Sequence, residues 1–545
     1  MTDLLIRGAT VVDGTGVPGV RASVTIDGGR IAAILPDGAA PDASTVVDAG
    51  GLVLAPGFID MHSHADFTLP SYPAAINSLA QGVTTEVIGN CGYAPAPLAS
   101  DAARADEQRA ACHGLGPDLD WGWQTFGDYL ARLDAARPAV NVIPLVGHGM
   151  LRLAVVGPEA RAANAAELAE MHDAAARALA DGAWGLSTGL VYPPGAYADT
   201  DEIVAVGRAL EPVDGLYASH IRNENDDLAD ALDEAIEIGR RLRVRVEVSH
   251  LKAAGRQNHG RAAEALAILD RGRAGGVRVH RDAYPYTAGS TLLTQLLPPW
   301  VHDAGTDALV DRLGSSEVRA RIAADVANGL PGWPNYIVAT GGWDGIMIAA
   351  VVDPALRSLE GRTVAEAAAA RGIDPLNLAL DTMMADRGAT MMIVSLMGQA
   401  DVDEIMADPS TTIGSDQLGV TSREARVHPR AYGTFVRVLG HYVRDRAILD
   451  LPAAIHRMTG LPAASLGLTD RGRIVPGAVA DLVLFDPATV ADASTYADPT
   501  RPAVGVESVF LGGVVAVERG QALRPSLGGV LRPDVSGPRP LRRSG

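Results

Sequence analysis

Residues 52–64 of the chain read LVLAPGFIDMHSH, an apolar run that ends in two histidines one residue apart. Successive side chains of a β-strand point to opposite faces, so His62 and His64 are expected on the same side of the strand. Two imidazoles on one side can bind a single cation. This stretch therefore predicts a buried strand with metal ligands at its carboxyl end.

Apolar runs of this kind alternate with helical stretches through the middle of the chain. Ala-rich segments at 159–180, 226–242 and 262–274 have helical character, and such alternation is typical of repeated β/α units around a parallel sheet. The eight expected strands are 52–61, 84–90, 141–147, 185–191, 215–220, 245–250, 277–283 and 411–415. Eight units predict an α/β fold, a (β/α)8 TIM barrel with its functional side chains at the carboxyl ends of the strands.

The two ends of the chain have a different pattern. Short apolar runs broken by Gly and Asp occupy residues 1–56 and return in 470–525, so both termini are expected to build one small β-sandwich domain. The barrel is expected to span 57–469. It contains an insertion at about 290–400, because the interval before the eighth strand is too long for one crossover. A Pro- and Arg-rich tail, 526–545, follows.

Composition limits the classes of function. The chain has 545 residues and a formal net charge of −19, which disfavours nucleic-acid binding. No apolar stretch predicts a membrane span and no signal peptide is visible. Cys91 and Cys112 are the only cysteines. They cannot form a disulfide framework, and a cytoplasmic location is expected. The sequence leaves the oligomeric state open.

Several expected strands end in side chains that can bind a metal ion. The candidate ligands are His62, His64, Cys91, His220, His250 and Asp416. Nitrogen, sulfur and oxygen donors together suit Zn²⁺, which lowers the pKa of bound water to about 7. A single histidine at a strand end is more often structural, but this ordered set favours a metal hydrolase. Asp416 is the candidate catalytic residue, because a carboxylate can accept a proton from metal-bound water.

Longer phrases carry a family resemblance that extends from about residue 50 to 460. They are PGFIDMHSHAD, GVTTEVIGNCGYAPAP, GLSTGLVYPPG, YASHIRNE, EVSHLK, DAYPYTAGST, IGSD and HPRAYGTFVRVLGHYVRD. This set resembles the N-acyl-D-amino-acid deacylase (D-aminoacylase) family of the amidohydrolase superfamily, and GRIVPGAVADLVLFDP resembles part of that family's small β domain. The resemblance implies a zinc hydrolase that converts an N-acyl-D-amino acid into a carboxylate and a free D-amino acid.

The resemblance also implies how the metal is held. Cys91, His220 and His250 would bind one tight Zn²⁺. The residues His62, His64 and Asp416 would form a second position that is weak or empty. Many related enzymes bridge two metals with a carboxylated lysine after the fourth strand. Here that strand ends in STGL at 187–190, and the only lysine of the chain, Lys252, lies elsewhere.

Substrate contacts are implied in the same way. Lys252, Tyr284 and Arg430 would clamp the α-carboxylate, with Ser290 as a weaker member of the clamp. Tyr192 would lie near the scissile carbonyl. The stretch TAGSTLLTQLLPPW after Tyr286 contains no arginine, which favours a neutral or apolar D-side chain.

Two departures from the family concern the rim of this pocket. Gln417 occupies a position where glycine is usual, and the loop from Asp416 to His428 is longer than usual.

Two alternative functions remain open at this stage. The first is another amidohydrolase reaction, such as hydrolysis of a cyclic amide or deamination of a heterocycle. A neutral heterocycle would not need the cations Lys252 and Arg430. The second is a non-catalytic barrel subunit, which the intact set of ligands argues against. The acyl chain, the D-side chain and the number of bound metals are not determined by the sequence.

Overall fold

Five strands precede the barrel in the computed structural model, which describes residues 2–419, 426–524 and 526–533. These strands are β1 (Thr2–Val11), β2 (Val20–Asp27), β3 (Arg30–Pro36), β4 (Ala43–Asp48) and β5 (Val53–Pro56). β1 pairs antiparallel with β2 and parallel with β4 and β5.

Seven parallel strands then follow one another around the barrel. They are β6 (Phe58–Asp60), β7 (Val83–Ile88), β8 (Asn141–Gly147), β9 (Gly185–Gly189), β10 (Leu216–His220), β11 (Arg245–Val248) and β12 (Val279–Ala283). Neighbours in sequence are neighbours in the sheet. β6, β7 and β8 are buried at every position, which explains why such strands are recognised as continuous apolar runs.

Between β12 and the last barrel strand the chain forms a separate antiparallel sheet. Its strands are β13 (Ala288–Leu292), β14 (Ile346–Ala350) and β15 (Met391–Ser395), with β15 in the centre. The chain then returns to the barrel as β16 (Thr411–Ile413), which pairs with β12. Backbone hydrogen bonds from Met61 to Ile413 (3.2 Å) and from Asp416 to His62 (2.7 Å) connect the first and last barrel strands. The expected eight-stranded TIM barrel is confirmed.

Helices fill the intervals between the strands. The α-helices are α1 (Ile76–Leu79), α2 (Ala102–Ala111), α3 (Phe126–Ala136), α4 (His148–Val155), α5 (Ala165–Asp181), α6 (Thr200–Gly207), α7 (Leu228–Leu242), α8 (Ala262–Ala274), α9 (Gly305–Leu313), α10 (Ser316–Asn328), α11 (Tyr336–Ala339), α12 (Val364–Arg371), α13 (Pro375–Ala385), α14 (Gln399–Ala407), α15 (Arg430–Arg437), α16 (Leu451–Met458) and α17 (Gly460–Leu466). A π-helix (Val438–Asp445) continues α15. Short 3-10 helices span Ala65–Phe67, Gly195–Tyr197, Arg208–Val213, Arg256–Asn258, Leu293–Leu296, Pro299–His302, Trp343–Gly345 and Pro354–Leu359. Within the described parts of the chain, no helix combines the length and the apolar character that crossing a bilayer requires.

The C-terminal strands join the N-terminal ones in a single nine-stranded sheet. They are β17 (Leu482–Phe485), β18 (Val506–Leu511), β19 (Val514–Glu518) and β20 (Gln521–Ala522), and β17 pairs with β5. Backbone bonds from Ile31 to Ala478 and from Ala480 to Gly29 also link β3 to the segment before β17, so the sheet curls around one core. As predicted, both termini contribute to a small β structure.

The expected first strand, 52–61, is divided between two sheets. Residues before Gly57 pair with β1 and β17 in the terminal sheet, whereas Phe58–Asp60 pairs with β7 in the barrel. The apolar pattern is the same on both sides of this division, so the pattern alone indicates one strand.

The described part of the expected tail lies beside the barrel. Val142 in β8 donates to the carbonyl of Gly529 (3.0 Å), and Leu531 donates to the carbonyl of Val142 (2.8 Å). Residues 534–545 of the tail, and residues 420–425 of the loop between Asp416 and His428, lie outside the described residues.

Gly89 permits the close packing of the backbone where β7 ends. Its φ is +78°, and a Cβ at this position would lie 2.1 Å from the carbonyl oxygen of Leu145 in β8. A residue with a side chain would therefore be strained and would also clash with a neighbouring strand. Gly89 is two residues from Cys91, so this packing also places a candidate ligand.

We expect Gly89→Ala to be much more destabilising than Gly276→Ala. Gly276 also has a positive φ, +88°, but no atom lies within 4 Å of the point that a Cβ would occupy there, so its replacement costs about 1 kcal/mol of backbone strain. Gly89→Ala adds the clash with Leu145 and should lower the thermal midpoint by several degrees more than the control. Differential scanning calorimetry measures both midpoints. Equal shifts would show that the close approach at Gly89 is unimportant.

Candidate metal centre and active site

All six predicted ligands meet at the carboxyl end of the barrel. His62 and His64 follow β6, Cys91 follows β7, His220 ends β10, His250 follows β11 and Asp416 follows β16. Each of these residues is at most 9% exposed. The structure therefore brings together side chains that are up to 354 residues apart in sequence, from His62 to Asp416.

The sulfur of Cys91 lies at the centre of this group. Its Sγ is 3.3 Å from His62 Nε2, 3.4 Å from His250 Nε2 and 3.7 Å from His220 Nδ1. Cys91 has a positive φ of 55°, and the next amide, of Gly92, donates to Ser187 Oγ (3.0 Å). This local turn directs the thiol towards the barrel axis instead of along the strand.

Asp416 approaches the same nitrogen of His62 that faces Cys91. Its Oδ1 is 3.6 Å from His62 Nε2 and 3.4 Å from His64 Nε2, and its Oδ2 is 2.9 Å from Arg430 Nη1. Burial opposes ionisation of Asp416, but the Arg430 guanidinium outweighs this effect and holds the pKa of Asp416 well below its usual range. Asp416 is therefore a carboxylate at neutral pH, with one oxygen directed towards the imidazoles.

The donor atoms have the separations that a shared ion requires. His62, Cys91 and His250 can place three donor atoms within 4.8 Å of one another, and so can His62, His64 and Asp416. With Zn–S of about 2.3 Å and Zn–N of about 2.0 Å, two ligands of a tetrahedral zinc lie about 3.5 Å apart. The three distances from Cys91 agree with this value. The chemistry and spacing of the donors therefore fit a metal ion.

Burial keeps two of the imidazoles unprotonated, which is the state that binds a metal ion. Burial holds the pKa of His220 and of His250 well below the usual range, so both rings are neutral and have a nitrogen lone pair available. His62 behaves differently: burial opposes its protonation, but Cys91 and Asp282 together raise its pKa to about 10. Burial also raises the pKa of the Cys91 thiol, and the neighbouring His62 opposes this shift.

The residues predicted to bind substrate border the same pocket. Lys252 Nζ lies 5.8 Å, and Arg430 Cζ 4.8 Å, from the centre of the Tyr284 ring. The ring of Tyr192 packs edge-on against His220, at 4.8 Å between centroids. Ser290 contacts Arg430 through its carbonyl oxygen, which accepts from Nη2 at 3.5 Å. These five residues line one cavity, together with His64, Cys91, His220, His250 and Asp416.

The remaining walls of the cavity are mainly apolar. Leu292 in β13 and Met391 and Val394 in β15 come from the antiparallel sheet, and Leu115 and Leu418 complete this part of the wall. The cavity holds about 730 Å³ of empty space, counting its open mouth. The segment between β12 and β16 thus shapes the pocket beside the metal cluster.

The sequence reasoning missed Glu224. Its carboxylate accepts from Lys252 Nζ at 2.6 Å and contacts His250 Nδ1 at 3.1 Å and His220 Nε2 at 3.5 Å. The phrase YASHIRNE ends on this glutamate, and a buried lysine requires an anion. Both signals were available, but neither shows which of the many acidic residues faces Lys252.

Two further polar residues position the ligands. Asp282 accepts from the backbone amide of His250 (2.9 Å) and lies 3.6 Å from His62 Nδ1. Gln417 donates to Ser63 Oγ (3.1 Å), and its backbone carbonyl accepts from the His64 amide (2.8 Å). The departure from glycine at 417 therefore adds a buried hydrogen bond next to His64.

Sequence comparison gives this chain its family. A family model described as the Amidohydrolase family matches residues 45–517. The D-aminoacylase of Alcaligenes xylosoxydans xylosoxydans is 41% identical over 513 residues, which cover 94% of this chain and 93% of that protein. The chain belongs to the amidohydrolase family. The N-acyl-D-aspartate deacylase of the same organism is 40% identical over 534 residues, covering 97% and 95%, so this amidohydrolase is a relative of the N-acyl-D-amino-acid deacylases, as its sequence phrases indicate.

Solved structures of these amidohydrolases align with nearly the whole chain. A D-aminoacylase whose binuclear metal centre shows one-metal activation and second-metal attenuation aligns with a TM-score of 0.82 and 38% identity, covering 98% of this chain and all of that one. The N-acyl-D-glutamate deacylase of Bordetella bronchiseptica, complexed with zinc and a phosphonate mimic of the tetrahedral intermediate, gives 0.81 and 36% with the same coverage. This protein is therefore a metal-dependent amidohydrolase, a hydrolase of amide bonds.

We expect Cys91→Ala to lose the tightly held metal. Removing the thiol takes away the atom that the three imidazoles approach, whereas Cys112 Sγ contacts only Met150 Sδ among the described polar contacts (3.6 Å). Cys112→Ala is therefore the matched control. Elemental analysis by mass spectrometry should find about one tightly bound zinc per chain in the wild type and the control, and much less in Cys91→Ala. A Cys91→Ala protein with its full zinc content would rule out this ligand.

Proposed function

We propose that this protein is a zinc hydrolase that cleaves the amide of N-acyl-D-amino acids, giving a carboxylate and a free D-amino acid. The observation that carries the proposal is the shared cavity. Two buried cations, Lys252 and Arg430, lie against Tyr284 beside the cluster around Cys91. An N-acyl amino acid offers an anionic carboxylate next to its amide, whereas a neutral cyclic amide or heterocycle has no group for these cations.

One zinc would be held by Cys91, His220 and His250. His62, His64 and Asp416 would form a second position that is weak or empty. The distances from Cys91 support the first position, and the contacts of Asp416 with the two imidazoles support the second. The D-aminoacylase described above, with one-metal activation and second-metal attenuation, supports the same division for this chain.

Zinc bound there would polarise the amide carbonyl and lower the pKa of water to about 7. Asp416 would then accept the proton of the attacking water and deliver it to the leaving nitrogen, one group acting as base and then as acid. Its low pKa keeps it in the ionised form that a general base requires, and Arg430 fixes one of its two oxygens. Tyr192, packed against His220, would adjoin the scissile carbonyl.

Lys252, Tyr284 and Arg430 would hold the α-carboxylate, with Ser290 beside Arg430. In the structure Lys252 is paired with Glu224 and Arg430 with Asp416. A bound substrate carboxylate would therefore share Lys252 with Glu224 and Arg430 with Asp416. This sharing limits the affinity for the carboxylate, and the two paired cations hold it in a defined position. Carboxylate, carbonyl and side chain are then fixed at three points, and three fixed points distinguish the D from the L configuration.

The D-side chain is proposed to be neutral or apolar. Among the described residues that line the cavity, Arg430 is the only arginine. Leu292, Met391 and Val394 form an apolar part of the wall. Arg357 and Arg362, in the insertion, do not line it. Overall identity does not decide this point, because relatives named for D-aspartate and for D-aminoacyl substrates match almost equally.

We also propose that the protein works in the cytoplasm on small-molecule substrates. Cys91 and Cys112 are both buried and free, and free thiols are typical of a reducing compartment.

We expect N-acetyl-D-Leu, D-Met and D-Phe to be hydrolysed with higher kcat/KM than N-acetyl-D-Glu or D-Asp. Burying a carboxylate without a partner costs several kcal/mol, whereas each buried CH₂ contributes about 0.8 kcal/mol. N-acetyl-L-Leu serves as the stereochemical control and should react poorly. A competition assay of these compounds measures both preferences. Preference for D-Glu would refute the apolar pocket, and equal D and L rates would refute the three-point fixation.

We expect Asp416→Asn and Lys252→Met to impair the enzyme in different ways. Asp416→Asn removes the base and should lower kcat by roughly 10²–10⁴-fold while zinc remains at the Cys91 position. Lys252→Met should raise KM on N-acyl-D-amino acids. On a matched substrate whose α-carboxylate is a neutral amide, Lys252→Met and wild type should be similarly poor. If Lys252→Met loses as much activity on the neutral substrate as on the charged one, the clamp is wrong.

A further inference from the structure

One carboxylate faces the backs of two imidazoles in this site. His220 directs Nδ1 towards Cys91, and its other nitrogen, Nε2, lies 3.5 Å from Glu224 Oε2. His250 directs Nε2 towards Cys91, and its Nδ1 lies 3.1 Å from Glu224 Oε1. The two oxygens of Glu224 thus meet one ring each, on the side away from the sulfur.

The position of Glu224 affects which nitrogen of each ring carries the proton. An imidazole nitrogen that binds a metal must offer its lone pair, so the ring proton resides on the other nitrogen. Ionised Glu224 can only accept hydrogen bonds. Its charge lies 3.5 Å from His220 Nε2, which has no hydrogen-bond partner among the described residues, and therefore favours the Nε2–H form of His220. At 3.1 Å from His250 Nδ1 it favours the Nδ1–H form of His250 once a metal takes the Nε2 lone pair. These are opposite tautomers, and in both the free lone pair faces Cys91.

Lys252 completes the group. Its Nζ is 2.6 Å from Glu224 Oε1 and 2.7 Å from His250 Nδ1. An ammonium group only donates, so Lys252 donates to the lone pair of His250 Nδ1 in this structure, and the proton of that ring lies on Nε2. With Nε2 bound to a metal, the proton would move to Nδ1, and Glu224 would then be the acceptor for both Lys252 and the ring. All four residues are at most 6% exposed, so water competes little for these contacts.

We propose that Glu224 is a positioning residue that sets the tautomers and orientations of His220 and His250 and anchors Lys252 beside them. This inference rests on the metal site of the proposed function. It couples the metal ligands to the carboxylate clamp through one side chain. Glu224 does not touch the reacting atoms in this role; its loss acts through the two rings and the lysine.

Glu224→Gln is the most informative substitution, because it keeps the shape of the side chain and removes its charge. A carboxamide accepts at its oxygen only, and its NH₂ group would face a donor at the other end. One imidazole or Lys252 then loses its acceptor. Glu202→Gln is the matched control: Glu202 is equally buried (5%) and pairs with a histidine, His148 at 3.2 Å, and with Arg152 at 2.9 Å, away from the metal cluster.

Zinc affinity measured by competition with a chromogenic chelator tests the proposal on the purified full chain. Glu224→Gln should bind zinc about 10–100-fold more weakly than wild type, and Glu202→Gln within about twofold of it. The visible spectrum of the Co²⁺-loaded protein provides a second readout that a merely structural role would not change. It should shift for Glu224→Gln and stay unchanged for the control. Glu224→Ala gives an independent variant, and the thermal midpoint of each apo-protein reports folding.

Wild-type zinc affinity and an unshifted Co²⁺ spectrum in Glu224→Gln would overturn the inference while leaving the proposed function intact. An equal loss of affinity in Glu202→Gln would also overturn it, since a general effect of removing buried charge would then be responsible. If wild-type protein itself fails to bind zinc tightly, the proposed function fails and this inference fails with it.

Discussion

The contact of one cysteine sulfur with three imidazole nitrogens is the constraint on which the site depends. Cys91 Sγ has His62, His220 and His250 within 3.7 Å, in a region that water hardly reaches. So many donors directed to one point require a cation to share. In the proposed site a zinc ion would satisfy Cys91, His220 and His250, and His62 would belong to the second position with His64 and Asp416. The ligands are crowded in this way because the barrel brings its strand ends together.

The barrel and the antiparallel sheet inserted between β12 and β16 supply different parts of the site. The carboxyl ends of β6, β7, β10, β11 and β16 supply the candidate metal-binding side chains, which a hydrogen-bonded sheet holds at fixed separations. The antiparallel sheet between β12 and β16 supplies the apolar wall at Leu292 and Met391. Metal chemistry therefore rests on the regular geometry of a barrel, whereas the shape of the substrate pocket rests on an insertion that can vary independently.

Much of this arrangement follows from local patterns in the sequence. The pair His62 and His64 at the end of an apolar run, with further ionisable residues at later strand ends, predicts both the barrel and the location of the site. The divided strand at Gly57 was not predictable, because apolar alternation does not show which sheet a strand joins. Glu224 was not identified for a related reason: its importance depends on three partners that come together only in the folded chain.

Anomalous diffraction at the zinc absorption edge, from crystals of the purified protein, tests the central claim most directly. We expect a strong peak about 2.0–2.3 Å from Cys91 Sγ, His220 Nδ1 and His250 Nε2. A weaker peak, or none, is expected between His62, His64 and Asp416. A fully occupied zinc that does not contact Cys91, or no zinc at either position, would contradict the assignment of this metal site.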